Sequence, residues 1–114
     1  MITPTLAQEV SQLEAELCFA LSDPTRILIL YALNEHPRNV TELTIELGTT
    51  QSTTSRHLKI LRDHGLVRTT RQGVTIIYEL TDSRLIEALD ILRSVLRNSI
   101  TLKANLIAEI ENKH

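Results

Sequence analysis

The sequence predicts a mainly α-helical fold with one small β-hairpin (α+β), in the order α-α-α-α-β-β-α. Residues 50–65 have the pattern of a basic helix with a polar first turn, and two β-prone runs follow them. Apolar residues recur at spacings of three and four near both ends of the chain. This order of elements is that of a winged helix-turn-helix whose terminal helices form a dimer.

Length and composition indicate one small domain. The chain has 114 residues, of which 42% are hydrophobic and 23% charged, so residues 1–114 are expected to form a single winged-helix DNA-binding domain. No apolar run reaches transmembrane length and the N-terminus lacks a secretory signal pattern, which predicts a soluble cytoplasmic protein with no membrane contact. One cysteine excludes an intrachain disulfide framework.

Charge is unevenly distributed along the chain. The formal net charge is −2, yet residues 52–77 carry five Arg or Lys residues against one acid. This concentration of positive charge indicates a surface that meets phosphate. An ordinary solvated surface is the alternative interpretation.

The N-terminal helix is predicted over residues 1–21. Its apolar stripe consists of Leu6, Val10, Leu13, Leu17 and Leu21. Burial within the chain and contact with a second subunit explain this stripe equally well.

A core helix is expected after Asp23, which is a good N-cap, and Pro24, which suits the first helical position. Its expected apolar residues are Ile27, Leu28, Leu30 and Leu33. We expect Arg26 to form an ion pair with a nearby carboxylate, with a phosphate contact as the alternative. Residues 34–39 are predicted to form the loop that follows.

The helix-turn-helix is predicted over residues 41–65. Its first helix, TELTIEL, ends at Gly48 and offers Leu43, Ile45 and Leu47 to the second helix. Thr50 can cap the second helix and Gly65 can end it. The exposed first turns of that helix are predicted to contact DNA through Gln51, Ser52, Thr53, Ser55, Arg56 and Lys59. Gln51 and Arg56 are the predicted base readers, since glutamine pairs with adenine and arginine with guanine.

The wing is predicted over residues 66–80. Its two strands, residues 66–70 and 74–80, are separated by Arg71, Gln72 and Gly73. Arg68 and Arg71 are expected to reach a neighbouring phosphate or the minor groove.

The last helix is predicted over residues 82–111 as a dimerisation helix. Its stripe consists of Leu85, Leu89, Leu92, Leu96, Ile100, Lys103, Leu106 and Ile110. Because a small core cannot cover so long a helix, contact with a second subunit is preferred over burial within the chain. A twofold dimer would place two recognition helices about 34 to 36 Å apart on an inverted-repeat operator.

Three stretches together resemble the ArsR/SmtB family of bacterial winged-helix repressors. They are LSDPTRILIL (residues 21–30), QSTTSRHLKILRDHGLV (residues 51–67) and RQGVTIIYEL (residues 71–80), within a resemblance over about residues 16–95. The resemblance implies a homodimeric repressor that leaves its operator when an unknown small inducer binds. It also implies base contacts by Gln51, Ser52, Ser55 and Arg56, with Arg71 and Gln72 in the wing.

Neither metal site familiar from that family is intact. The region of the cysteine site holds Asn39, Thr41 and Thr44, and the site on the last helix keeps only Asp82, with Arg84, Val95 and Asn98 in the other places. No metal or cofactor is therefore predicted. The four histidines are expected to be surface or DNA-proximal residues: His36, His57, His64 and His114.

Cys18 is expected to be a small buried apolar residue, and a thiol sensor is the sharper alternative. A winged-helix module that binds protein without specific DNA binding is the rival function. An enzyme is not expected, because the sequence shows no Gly-rich phosphate loop, nucleophile elbow or metal-ligand cluster.

Overall fold

The computed structural model describes residues 1–112 and has the predicted order of elements. This confirms the winged helix-turn-helix. The elements are α1 (Pro4–Gln12), α2 (Pro24–Glu35), α3 (Val40–Leu47), α4 (Gln51–Asp63), β1 (Val67–Gln72), β2 (Thr75–Leu80) and α5 (Arg84–Asn112). Residues 1–82 form one compact unit, and a second unit begins at Ser83.

The N-terminal helix is not uniformly α-helical. Thr3 caps α1 by accepting a hydrogen bond from the Leu6 amide at 3.1 Å, and Leu13–Cys18 then continue it as a π-helix. One extra residue in a helical turn rotates the following side chains by roughly 100°. The predicted stripe is therefore not one continuous face, and Leu6, Val10 and Leu13 are all exposed.

The core of the first unit lies among α2, α3, α4 and β1. Its fully buried apolar residues include Ile29, Leu30, Leu43, Leu58 and Leu61. Two predicted core residues are wrong: Leu28 is 55% exposed and Ile45 is 75% exposed. Leu28 adjoins buried Ile29, and Ile45 is two positions from buried Leu43. Steps of one or two positions move a side chain by about 100° or 200° around the helix axis, so these residues face away from the core.

Caps and left-handed glycines set the two helices of the helix-turn-helix. Asn39 forms a capping box with Glu42 at the start of α3, and Gly48 ends that helix at φ 65°. The Thr50 hydroxyl accepts from the Thr53 amide at the start of α4, and Gly65 takes φ 77° after its end. The predicted cap at Thr50 and the predicted stop at Gly65 are confirmed.

The hairpin has a tighter turn than predicted. Arg71 pairs with Ile76 and Gln72 with Thr75, so only Gly73 and Val74 connect the strands. Arg71 and Gln72 therefore belong to β1 rather than to the turn. Gly73 has φ 62°, a conformation that two-residue hairpin turns require and glycine adopts readily.

Arg38 joins the wing to the helices. Its backbone pairs with Tyr78 through two hydrogen bonds of 3.1 and 2.8 Å, although this residue was predicted to lie in a loop. Its buried guanidinium forms ion pairs with Glu35 and Glu46. The end of α2, the end of α3 and strand β2 are thereby held together.

Helix α5 begins two residues after the predicted start and exposes a broad apolar face. Ile86 and Leu89 are buried, whereas the exposed apolar residues are Ile91, Leu92, Val95, Leu96, Ile100, Leu102, Leu106, Ile107 and Ile110. Within residues 1–112, no helix is both long and apolar enough to cross a lipid bilayer.

Candidate nucleic-acid interface

One face of α4 carries most of the predicted DNA-contacting residues. Gln51, Ser52, Ser55, Arg56 and Lys59 are all exposed. At about 100° per residue these positions fall within an arc of about 140°. We call this arc the reading face. The structure therefore brings the polar first turns of α4 onto one surface.

Thr53 lies outside the reading face and is half-buried. Its backbone amide donates to the Thr50 hydroxyl oxygen at 3.2 Å, and its own hydroxyl accepts from that of Thr50 at 2.8 Å. The geometry thus engages Thr53 in the cap of α4, which weakens its candidacy as a base contact.

The cations of the reading face differ in their surroundings. Lys59 donates to Asp63 at 2.8 Å, and this hydrogen bond holds the pKa of the Asp63 carboxyl below its usual value. Both side chains are exposed, so water screens the pair and a phosphate can replace the carboxylate. Among residues 1–112, Arg56 has no side-chain hydrogen bond or ion pair, which leaves its five donors available.

Arg62 is a candidate that the sequence prediction missed. It is exposed one turn after Lys59, and its position around the helix axis falls within the reading face. The spacing of three residues from Lys59 was the available signal. Its place near the C-terminal end of α4 suits contact with the phosphate backbone rather than with bases.

The three wing candidates are not equivalent. Arg68 donates to Glu79 at 2.6 Å across the two strands, near the base of the hairpin. Arg71 lies near the tip, where its Nε donates to the Gly73 carbonyl at 3.1 Å, and Gln72 beside it is exposed. Arg71 and Gln72 are therefore better placed than Arg68 to contact a ligand beyond the wing tip.

An open depression of about 320 Å³ connects α4 to the wing. Its lining residues are Asn39, Val40, Thr41, Gln51, Val74, Thr75 and Ile76. Gln51 thus shares a continuous surface with the start of α3 and the hairpin turn. A ligand that follows this surface would meet the helix and the wing together.

Two basic side chains that the sequence assigned to the surface or to ion pairs are buried instead. His57 is 4% exposed, and its Nδ1 lies 3.1 Å from Nη1 of Arg26. Arg26 is 7% exposed and donates to the carbonyls of Phe19 and Ala20. The predicted ion pair with a carboxylate is therefore wrong within residues 1–112. Burying a polar ring is costly unless the ring is hydrogen-bonded. The hydrogen bond from Arg26 offsets that cost for His57 on the buried side of α4.

The other histidines occupy different settings. His64, just after α4, lies 2.6 Å from Glu16 and packs its ring against Phe19. His36 is exposed in the loop before α3. His114 lies outside the described residues. In residues 1–112 no three His, Cys, Asp or Glu side chains are grouped to hold a metal ion.

Two positions of the familiar cysteine-type metal site already have structural partners. The Asn39 side chain accepts from the Glu42 amide at 2.8 Å, and the Thr44 hydroxyl donates to Thr54 at 2.9 Å. Cys18 is exposed, which corrects the expectation of a buried apolar residue. It is the last residue of the π-helix.

Comparison with known proteins decides the family. Residues 23–69 match the family model described as a bacterial regulatory protein of the arsR family. NmtR, an HTH-type transcriptional regulator of Mycobacterium tuberculosis, is 38% identical over 87 residues, which are 76% of this chain and 72% of NmtR. The chain belongs to the ArsR family of bacterial transcriptional regulators.

Solved structures agree with this ArsR-family assignment. The crystal structure of M. tuberculosis Rv0081 has a TM-score of 0.74 at 33% identity and covers 83% of this chain and 96% of its own. The homodimeric winged helix-turn-helix DNA-binding domain of Mycobacterium bovis Mb0332 has a TM-score of 0.73 at 23% identity, covering 87% and 91%. The second likeness shows the fold alone.

The family match covers the helix-turn-helix of this ArsR-family regulator. Residues 23–69 include α2, α3 and α4 and the first residues of β1. The reading face therefore lies wholly within the matched segment. The family consists of transcriptional regulators rather than enzymes.

Proposed function

We propose that this ArsR-family protein is a cytoplasmic repressor that binds an inverted-repeat operator as a homodimer. The observation that carries the proposal is the single exposed arc of hydrogen-bonding and cationic side chains on α4. A helix with that arc fits the major groove, where donors and acceptors of the base edges can be read.

The reading face divides into base-contacting and phosphate-contacting parts. Gln51, Ser52, Ser55 and Arg56 lie in the first turns, where a recognition helix approaches base edges. Arg56 can donate two hydrogen bonds to guanine. Its guanidinium has no hydrogen bond or ion pair within residues 1–112 that it would first have to break. Lys59 and Arg62 follow toward the helix end and contact phosphates.

The wing adds a second contact. Arg71 and Gln72 near the hairpin tip reach the adjacent minor groove or its phosphates, while Arg68 keeps its partner Glu79 and supports the base of the hairpin. The depression between Gln51 and the hairpin turn then accommodates part of the DNA backbone.

Dimerisation through the terminal helices follows from their exposed apolar residues. Leu92, Leu96 and Leu106 on α5 are at least half exposed, as are Ile100 and Ile110. Water-exposed apolar faces of this length are unfavourable, and a second copy is the partner that would cover them symmetrically. In this proposal residues 1–82 are the reading head and α5 is the dimerisation helix.

Release from the operator is assigned to a small inducer. The inducer acts by favouring a dimer whose two reading heads no longer match successive major grooves. Cys18, exposed on the π-helix, stays the candidate thiol sensor. If Cys18 is the sensor, the substitution Cys18→Ser abolishes release by thiol oxidants and leaves operator binding unchanged.

The test is selection of bound sequences from a random duplex pool, with the wild type, Arg56→Ala and Arg97→Ala. Arg97 belongs to α5 and not to the reading face, so its variant controls for the loss of one positive charge elsewhere in the sequence. We expect an inverted repeat with the wild type and Arg97→Ala, and loss of preference at one base pair per half-site with Arg56→Ala. Absence of enrichment at low salt would favour the protein-binding module instead.

A further inference from the structure

The buried side of α4 contains two polar contacts among its leucines. The Thr44 hydroxyl of α3 donates to Thr54 at 2.9 Å, and Arg26 of α2 approaches His57 at 3.1 Å. Packed leucines keep the apolar side of α4 inward, but hydrophobic contact is non-directional and fixes the rotation of the helix about its axis only coarsely. Hydrogen bonds are directional. These two contacts therefore set the angle at which α4 presents its reading face.

Arg26 also holds the chain that leads out of the N-terminal helix. Its Nε donates to the Ala20 carbonyl at 2.7 Å, and its Nη2 donates to the Phe19 carbonyl and the Ser22 hydroxyl, both at 3.3 Å. The remaining nitrogen, Nη1, faces His57. One guanidinium thus joins the segment after the π-helix to α4.

The contact between Arg26 and His57 requires a neutral imidazole. Arginine has five N–H donors and no acceptor, so Nδ1 of His57 must be unprotonated to accept from it. The ring proton then resides on Nε2, which lies 3.9 Å from Asp23 Oδ1. Protonation of Nδ1 would remove the hydrogen bond and place two cations against each other.

We propose that Arg26 and neutral His57 are positioning residues that couple the end of the N-terminal helix to the orientation of the recognition helix α4, and that protonation of His57 releases this coupling. The consequence for operator binding rests on the proposed function. The consequence for the position of α4 does not, and it can be measured without DNA.

Burial is the main reason that His57 favours its neutral form, and the charges around it act in both directions. Burial lowers the pKa of His57 below its usual value of 6.5; Asp23 raises it, whereas Arg56 and Arg26 lower it further. The charged residues of α3 and β1, which also pack against α4, are engaged elsewhere. Glu42 lies in its capping box, Glu46 pairs with Arg38, Arg68 pairs with Glu79, and Arg71 bonds to Gly73.

The lowered pKa fixes the direction of the pH effect. The unfolded chain binds a proton at His57 near pH 6.5, while the folded chain binds it only at lower pH. Folded protein is therefore destabilised as the pH falls through and below 6.5. The contact between Arg26 and His57 is complete above that pH and is lost on acidification.

The experiment compares the full-length wild type, His57→Leu, His57→Gln and His64→Gln at pH 7.5 and 5.5, at constant ionic strength, on the selected operator. His57→Leu lacks the acceptor for Arg26, so we expect roughly tenfold weaker binding at pH 7.5. Glutamine offers an amide oxygen that cannot be protonated in this range, so His57→Gln recovers most of that loss.

The pH response separates positioning from a merely structural role. Wild type and His64→Gln should lose affinity on going from pH 7.5 to pH 5.5, whereas His57→Gln should lose much less. His64→Gln is the matched control because it removes the imidazole that follows α4 and pairs with Glu16. Equal acid sensitivity of His57→Gln and the wild type would overturn the proposal.

Amide NMR spectra without DNA give the second readout. Acidification should shift the amides of residues 51–59 in the wild type but not in His57→Gln, with the Phe19 and Ala20 region shifting in parallel. Unmoved α4 amides in the wild type would refute the coupling even if operator binding were pH-dependent. Failure to bind any duplex, with the amide shifts present, would overturn the proposed function and leave the coupling supported.

Discussion

At the scale of single residues, the cations of the reading face differ in whether they already have a partner within the protein. Arg56 has no side-chain partner within residues 1–112, whereas Lys59 and Asp63 form an exposed pair that binding to phosphate would break. Water screens such an exposed pair, so it contributes little to stability. Exchanging it for a phosphate therefore costs little, and both cations remain available to DNA.

Removing a phosphate contact should have a different signature from removing a base contact. We expect Lys59→Ala and Arg62→Ala each to weaken binding evenly across sequences and to reduce the slope of log affinity against log salt by about 1. Titration of operator and scrambled duplexes over a range of salt concentrations measures both effects. A change in preferred sequence with an unchanged salt slope would instead assign these cations to base reading.

At the scale of elements, two residues fix the arrangement of the helix-turn-helix and the wing. Gly48 ends α3 in the left-handed conformation, which directs the chain into the Thr50 cap of α4. Arg38 links α2, α3 and β2 through its side-chain ion pairs and its backbone pairing with Tyr78. The wing is thus attached to the helices by a residue outside both strands.

The turn at Gly48 gives a stability prediction. Nothing lies within 4 Å of a Cβ added there, so Gly48→Ala incurs only the backbone cost of φ 65°. We expect a loss of roughly 1 kcal/mol in the free energy of unfolding, measured by urea denaturation. Gly48→Asn, which tolerates the left-handed region better, should lose less. Equal losses in both variants would point to a side-chain clash instead.

At the scale of the whole molecule, the apolar faces exceed what this chain covers by itself. On α5, nine large apolar residues from Ile91 onward are at least half exposed, and Leu6, Val10 and Leu13 are exposed near the N-terminus. A dimer would cover both helices and couple the reading heads. The contact of Arg26 with the Phe19 and Ala20 carbonyls would then transmit a change at the N-terminal helix to α4.

Dimerisation through α5 can be tested with two variants that each add one acid. Leu96→Asp places a charge on the exposed apolar face, whereas Asn98→Asp places it on the polar side of the same helix. We expect Leu96→Asp to sediment as a monomer at concentrations where the wild type and Asn98→Asp are dimers. Sedimentation equilibrium measures this. A dimeric Leu96→Asp protein would place the interface elsewhere.

Features that depend on neighbouring residues were readable in the sequence. The caps at Asp23 and Thr50, the stop at Gly65 and the two strands of the hairpin follow from short-range chemistry, and the structure has all of them. The order of these elements was enough for the winged helix-turn-helix and for the family resemblance. The candidate DNA contacts stay predictions, although five of the six on α4 lie on one arc.

Tertiary structure decided what faces inward. His57 and Arg26 are 31 residues apart, and their mutual burial depends on a packing of α2 against α4 that neither local pattern contains. The exposure of Leu28, Ile45 and Cys18 also depends on which helix face meets a neighbour. Local sequence determined the elements because caps, turns and strand propensity act over a few residues. Burial was determined only when distant elements packed, because hydrophobic contact and the hydrogen bonds that satisfy buried polar groups join residues far apart in the chain.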